Sequence, residues 1–237
     1  MGKARHSRGT QLLVSCEHAS PHVPARFAPL FQDARPLLST HRAFDQGALG
    51  VARALATAWE CPLITGEVTR LLIDLNRSYG NRGLYSEFTR QLPRAEKRYL
   101  LERYYLPYRQ RIFAAIAEPP SHAPVIHLSV HSFTPSLDGK VRNTEVGLLF
   151  DPARTRELRI AEALRTAFLR VCPTVRVRFN YPYRGTSDGL TQSLRGWLAN
   201  ERYAGIEVEF NQGCEALWRR RAFQTALARA WAEALAT

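Results

Sequence analysis

Short apolar runs alternate along this chain with longer stretches whose apolar residues recur at helical spacing, a pattern that predicts a sheet flanked by helices. Residues 11–15 read as a first strand running into Cys16, Glu17 and His18, after which Pro21 and Pro24 enforce a loop. Residues 45–59 carry Leu49, Ala52 and Leu55 at helical spacing and read as the first helix. Segments 62–65 and 70–75 look like strands, whereas 76–93, rich in Gly, Arg and Tyr without a period, reads as an irregular loop. A long helix is predicted over 95–117, interrupted near Pro107. The best central strand is 125–130, an apolar run bounded by Pro124 and His131. Strands at 145–150, 175–179 and 206–210 and helices at 155–171 and 188–199 follow. A closing helix sets Phe223, Leu227, Trp231 and Leu235 on one stripe.

With 237 residues, no internal repeat, no low-complexity segment and no linker-like shift in composition, one α/β domain spanning 1–237 is expected. Hydrophobic residues make up 45% and charged residues 23%, enough for a sizeable core. No apolar run approaches the ~20 residues of a membrane span. The polar, basic segment 1–11 is followed by only a short apolar run at 12–14, too short for a signal-peptide core. A cytoplasmic protein without a membrane partner is therefore expected. Cys16, Cys61, Cys172 and Cys214 are widely spaced and form no CxxC pair, which argues against a structural zinc knuckle and a disulfide framework. Cys16 adjoins candidate site residues, so a catalytic thiol competes there with the reading favoured for free cysteine, a small buried hydrophobe.

The net charge of +12 invites a nucleic-acid partner. Only Lys3, Lys97 and Lys140 are lysines, however, and the arginines are scattered apart from one run at Arg219, Arg220 and Arg221. No RNP-type motif, zinc finger or recognition-helix pattern accompanies them, which disfavours nucleic acid. An electrostatic preference for anionic small molecules fits the same charge.

Ligands bind open α/β sheets at the carboxyl ends of the strands, so polar residues there carry the information. His18 follows the first strand, Asp74, Asn76 and Arg77 close the third, His131 and Ser132 follow the central one, and Glu209 ends the last. Each has a bland alternative: a loop cap for His18, a polar turn for Asp74–Arg77, a salt-bridge partner for Glu209. Together they suggest a metal site, since catalytic zinc takes about three protein ligands and one open position. Two imidazoles would need a carboxylate, and the choices are Asp45 and Glu17. Adjacent strand residues point to opposite faces, which disfavours Glu17 beside a ligating His18. Asp45 is equally readable as an acidic residue at a helix start. Arg77 suits a bidentate clamp on a substrate carboxylate, with Asn76 adding a directional hydrogen bond, and Glu209 suits a general base.

The runs Ser15-Cys16-Glu17-His18-Ala19-Ser20, Asp74-Leu75-Asn76-Arg77, Val130-His131-Ser132 and Glu207-Val208-Glu209-Phe210-Asn211-Gln212 resemble the N-formylglutamate amidohydrolase family, in the expected order from about Leu12 to about Gln212. The Asp-Leu-Asn-Arg run is also similar to that of aspartoacylases and succinylglutamate desuccinylases. The resemblance implies a zinc-carboxypeptidase-like (phosphorylase/hydrolase-like) fold, a mixed sheet between helices. It implies zinc held by His18 and His131, a substrate carboxylate held by Asn76 and Arg77, and Glu209 as the base. The aspartoacylase pattern has a glutamate three residues after the first histidine, where this chain has Pro21. The formylglutamate-type pattern has an aspartate where Asp45 stands, so Asp45 is the expected third ligand, with Glu17 as runner-up. Residues 180–186 look like that family's late substrate loop, which puts Tyr183 and Arg184 near the ligand.

The expected activity is metal-dependent hydrolysis of an N-acyl amino acid to a small carboxylic acid and an amino acid. A carboxypeptidase or amidase on a peptide or cell-wall fragment would use the same constellation, with specificity in loops such as 78–93 and 133–144. A non-catalytic nucleic-acid-binding protein is the rival from another class. Ser132 beside His131, or Cys16 near His18, offers a nucleophilic dyad, though neither sits in a Gly-x-Ser-x-Gly elbow.

Overall fold

In a computed structural model describing residues 9–117 and 123–235, the chain forms one α/β domain around a six-stranded mixed sheet. The basic segment 1–8 lies outside the described residues. The strands are β1 (Gln11–Cys16), β2 (Leu63–Thr65), β3 (Val125–Phe133), β6 (Val146–Leu149), β7 (Val177–Phe179) and β8 (Tyr203–Asn211), in the order β2-β1-β3-β8-β6-β7. From β2 to β8 all pairings are parallel; β6 runs antiparallel to β8, and β7 parallel to β6. Two further short strands, β4 (Ser136–Leu137) and β5 (Lys140–Val141), form a separate hairpin. The chain crosses from β1 to β2 on one side and then to β3 on the other, so strand order reverses beside β1. That reversal opens a crevice at the carboxyl ends of β1 and β3.

Side chains alternate across the sheet and divide the interior in two. Leu12, Val14 and Cys16 of β1, Ile126, Leu128 and Val130 of β3, and Ala204, Ile206 and Val208 of β8 share one apolar cluster with helices α1 (Ala48–Trp59), α4 (Thr155–Val171) and α7 (Arg221–Leu235). Phe223, Leu227 and Trp231 of α7 are buried there. The buried indoles find acceptors: Trp59 donates to the Ala228 carbonyl (2.8 Å) and Trp231 to that of Leu164 (2.9 Å), stitching α1 to α7 and α7 to α4. On the other face, Leu13, Val125 and Tyr203 pack with α2 (Arg94–Leu100), α3 (Leu106–Ala117), the short α5 (Leu190–Arg195) and the long loops. No described helix is long and apolar enough to cross a membrane.

Several boundaries depart from the sequence reading. The strand expected at 70–75 is instead a succession of turns. Leu71, Leu72, Ile73 and Leu75 are buried in the second cluster, so the run is apolar for packing. Its backbone amides scatter to separate loop acceptors instead of one ladder, Arg70 to Ala43 (3.1 Å), Leu72 to Thr69 (2.9 Å) and Asp74 to Leu84 (3.0 Å). The central strand continues through Phe133, which places His131 and Ser132 inside β3. Asp45 lies in the loop before α1, three residues ahead of Ala48. The helix expected at 188–199 is confined to α5. The interruption near Pro107 is a π-helical turn over Leu101–Tyr105, which accommodates a ring that has no N–H and would crowd the preceding turn. The β4–β5 hairpin turns on Asp138 (φ 49°) and Gly139 (φ 74°), the left-handed pair that an Asp-Gly dipeptide favours.

One glycine sets the approach of a functional loop. A Cβ at Gly147 in β6 would stand 1.8 Å from the Tyr181 carbonyl oxygen and 3.4 Å from the Glu209 Cβ. The missing side chain lets segment 181–187 cross β6 directly above Glu209, its register partner. Gly147→Ala is expected to displace that segment and lower stability by about 1–3 kcal/mol, read from the midpoint of urea unfolding.

Candidate active site

The crevice is built from three backbone ties. The Asp45 amide donates to the His18 carbonyl (2.9 Å), the Gly66 amide to that of Cys16 (2.9 Å), and the Arg70 amide to that of Ala43 (3.1 Å). These bonds bring the loops after β1, before α1 and after β2 to one point. From β3, His131 meets them, with Glu209 of β8 beside it in register. The His18 and His131 rings lie 5.1 Å apart between centroids.

His18, Asp45 and His131 are all buried, and one ligand atom from each lies within 4.8 Å of the others. Asp45 Oδ2 stands 2.8 Å from His131 Nδ1 and 3.4 Å from His18 Nδ1. Neighbouring ligands of a tetrahedral zinc are about 3.3 Å apart, so the spacing suits one ion. Each imidazole is backed by a carboxylate on its other nitrogen: Asp74 Oδ1 at 2.7 Å from His18 Nε2, and Glu17 Oε2 at 2.9 Å from His131 Nε2. Those carboxylates accept only, so each ring presents an N–H to them and turns Nδ1 toward the centre.

Arg70 enters the same space. Its Nη2 contacts His18 Nδ1 and Asp45 Oδ1, a cation drawn to a cluster of acceptors. Glu209 is nine-tenths or more buried, and its Oε2 has no hydrogen-bond partner. A buried orphan acceptor beside three convergent ligand atoms fits a site completed by a cation and a water.

The electrostatics follow from burial and proximity. Burial opposes charge on His131, but the carboxylates of Asp45 and Glu17 outweigh it and hold its pKa well above the usual imidazole value. Burial pushes against ionisation of Asp45 as well; Arg70, His18 and His131 prevail and hold it well below the carboxylate range. Asp74 and Glu17 are likewise depressed despite burial, Asp74 chiefly by His18 and Glu17 chiefly by His131. Glu209 is the exception. Burial, reinforced by Asp45 and Glu207 and opposed by His131 and Arg70, pushes its carboxyl up to about 8.

The remaining sequence-predicted residues line the same cleft, of about 330 Å³, at the small end for ligand sites. Asn76 Oδ1 accepts from the Leu190 amide (2.7 Å), fixing the start of α5. Arg77 reaches the Asp188 carbonyl through Nη1 (2.8 Å) with its side chain 41% exposed, free to meet a ligand. The Asp188 carboxylate accepts from the Ser78 hydroxyl and from Asn81 Nδ2 (2.7 Å), locking the two loops together. Tyr183 lies under the Arg142 guanidinium, 5.1 Å from its ring centroid, and exposed Arg184 follows.

Sequence reasoning missed Arg70, Glu207 and Asp188, all of which line the cleft. Nothing local marks Arg70 among so many arginines. Glu17, the runner-up ligand, lies behind His131 rather than among the convergent atoms. The two dyad readings find no geometry. Ser132 Oγ donates to the Gln46 carbonyl (2.8 Å) and accepts from Gln212 (2.9 Å). The Cys16 thiol is buried in the apolar cluster, which raises its pKa well above the usual value.

Comparisons with known proteins agree with this architecture. No curated protein matches the chain in sequence. Among solved structures, gene product Atu2144 from Agrobacterium tumefaciens superposes with a TM-score of 0.78 at 29% identity, covering 99% of this chain and 91% of that one. An N-formylglutamate amidohydrolase from Ralstonia eutropha JMP134 superposes with a TM-score of 0.61 at 17% identity, covering 97% and 93%. The family model described as N-formylglutamate amidohydrolase matches residues 10–214. The crevice residues from His18 to Glu209 all fall within that match, and the chain belongs to the N-formylglutamate amidohydrolase family.

Proposed function

We propose that the protein is a zinc-dependent amidohydrolase that cleaves a small N-acyl amino acid of the N-formylglutamate type into a carboxylic acid and the free amino acid. The observation that carries this reading is the convergence of His18 Nδ1, Asp45 Oδ2 and His131 Nδ1 beside the unpartnered Oε2 of Glu209. Two imidazoles and a carboxylate are a donor set typical of catalytic zinc. When bound, zinc lowers the pKa of a coordinated water and polarises the acyl carbonyl.

The protein's own residues supply the rest. Glu209 takes the proton of the attacking water at Oε2 and later passes it to the departing amine. Its raised pKa suits it to hold that proton between the two steps. Arg70, already against Asp45 and His18, is placed to stabilise negative charge developing on the carbonyl oxygen. Arg77, with Asn76 beside it, holds the substrate's carboxylate and so orients the scissile amide; Arg184 and Tyr183 close the other side. The partner implied is a small anionic molecule, consistent with three arginines in one small cleft.

Three outcomes test this. A panel of N-acyl amino acids and short peptides should show turnover of acyl amino acids bearing a free carboxylate; turnover confined to peptides would overturn the substrate assignment. Glu209→Gln should retain zinc and lose about 10²–10⁴ in kcat, whereas Arg77→Ala should raise KM about 10-fold or more with zinc content unchanged, as read by steady-state kinetics with elemental analysis.

The pH dependence has a fixed sign. In the zinc-free protein His131 is protonated below its raised pKa and Glu209 below about 8. The folded state therefore binds more protons than the unfolded chain, and zinc-free stability falls as pH rises through about 8. Zinc must displace the His131 proton, which its neighbouring carboxylates hold above the usual imidazole range, so zinc affinity should strengthen as pH rises. Competition titrations between about pH 6 and about pH 8 check this; a pH-independent affinity contradicts it.

A further inference from the structure

Behind the crevice, a polar network that the proposed reaction does not use runs into the protein from His131. The His131 Nε2 faces Glu17 Oε2 and Ser129 Oγ, each at 2.9 Å. The Ser129 hydroxyl donates to the same Glu17 oxygen (2.5 Å), which leaves its own lone pairs for the ring N–H. The other oxygen, Glu17 Oε1, accepts from the Tyr108 hydroxyl (2.6 Å). Glu17 is completely buried and Tyr108 nearly so. Tyr108 comes from α3, which packs on the face of the sheet away from α1, α4 and α7.

We propose that Tyr108 and Ser129, acting through Glu17, are positioning residues that fix His131 with Nδ1 toward the ion, so that metal affinity at the rim of the sheet is set by helix α3 behind it. The inference rests on the reading of His131 as a metal ligand.

The physical argument is one of counting donors. A buried carboxylate with three donors, two hydroxyls and one ring N–H, is held in a single orientation as an acceptor. An acceptor at Nε2 demands the proton there and leaves Nδ1 bare for the ion. Without the Tyr108 hydroxyl, Oε1 is buried with no donor, and the carboxylate is driven to rotate away from the ring to find one. The ring then loses what fixes its orientation. The π-helical turn over Leu101–Tyr105 runs straight into α3, and Tyr105 at the end of the turn and Arg109 of α3 both donate to the Arg77 carbonyl (2.8 and 2.7 Å). One helix thereby braces both the metal half and the substrate half of the site.

The test measures zinc affinity by chelator competition for wild type, Tyr108→Phe and Ser129→Ala, together with nitrogen-15 spectra of the zinc-loaded imidazoles. The expected result is wild-type His131 with zinc on Nδ1 and a proton on Nε2. Each variant should bind zinc about tenfold more weakly or worse, with the Nε2–H resonance shifted or broadened. Unchanged affinity and an unchanged ring signature in folded variants overturn the proposal. So does a wild-type spectrum with zinc on Nε2, a measurement that needs no variant to fold. His131→Ala separates the two levels: if it retains wild-type zinc affinity, the ligand reading itself fails. If it loses zinc while Tyr108→Phe does not, only the role of α3 fails.

Discussion

Two imidazole lone pairs and a carboxylate that converge in a buried space repel one another unless a cation stands between them. The rest of this structure is arranged around that constraint. Asp74 and Glu17 each hold an N–H of His18 and His131 on the outward nitrogen and turn the Nδ1 of each ring inward. Arg70 brings its charge to the same point. Seven ionisable groups (His18, Asp45, His131, Asp74, Glu17, Arg70 and Glu209) in a volume this small are tolerable only because each acceptor meets a donor or a cation, and the exception, Glu209 Oε2, is the atom proposed as the base.

Topology makes the convergence cheap for the chain. Parallel β1, β3 and β8 present their carboxyl ends at one edge, and the reversal of strand order beside β1 leaves room for the loops that carry Asp45 and Arg70. Alternation along β3 sends Ile126, Leu128 and Val130 into the apolar cluster shared with α1, α4 and α7, and His127, Ser129 and His131 to the other face. The polar face continues sideways into Glu17 of the loop after β1 and Glu207 and Glu209 of β8. Deeper in, His127 bonds Ser15 (2.7 Å) and Tyr203 (2.8 Å), so these three buried polar groups are paired with one another. Burial pushes the His127 pKa down to about 4, which marks it as a neutral structural ring unlike His131.

Much of this was legible in the chain. The helix at 155–171 and the closing stripe of Phe223, Leu227 and Trp231 were readable because each buries one face against the sheet, and amphipathic spacing records that burial directly. The eight residues singled out for chemistry line one cleft. The run at 70–75 misled because an apolar sequence reports burial, not a hydrogen-bonded ladder, and here the burial is in a loop. The polar alternation of His127, Ser129 and His131 inside β3 was a signal that an apolar-run reading passes over. The Asp-Gly turn at 138–139 was another. Arg70 and Tyr108 had no local signal at all: their roles arise from partners far away in sequence, 91 residues in the case of Tyr108 and Glu17.

The central claim is that one divalent ion binds between His18, Asp45 and His131. X-ray absorption at the metal edge of the purified protein addresses it most directly. The account predicts zinc at one ion per chain, in a shell of two imidazole nitrogens and oxygen donors at about 2.0–2.2 Å. A protein that takes up no zinc, or a zinc shell without imidazole, would contradict it.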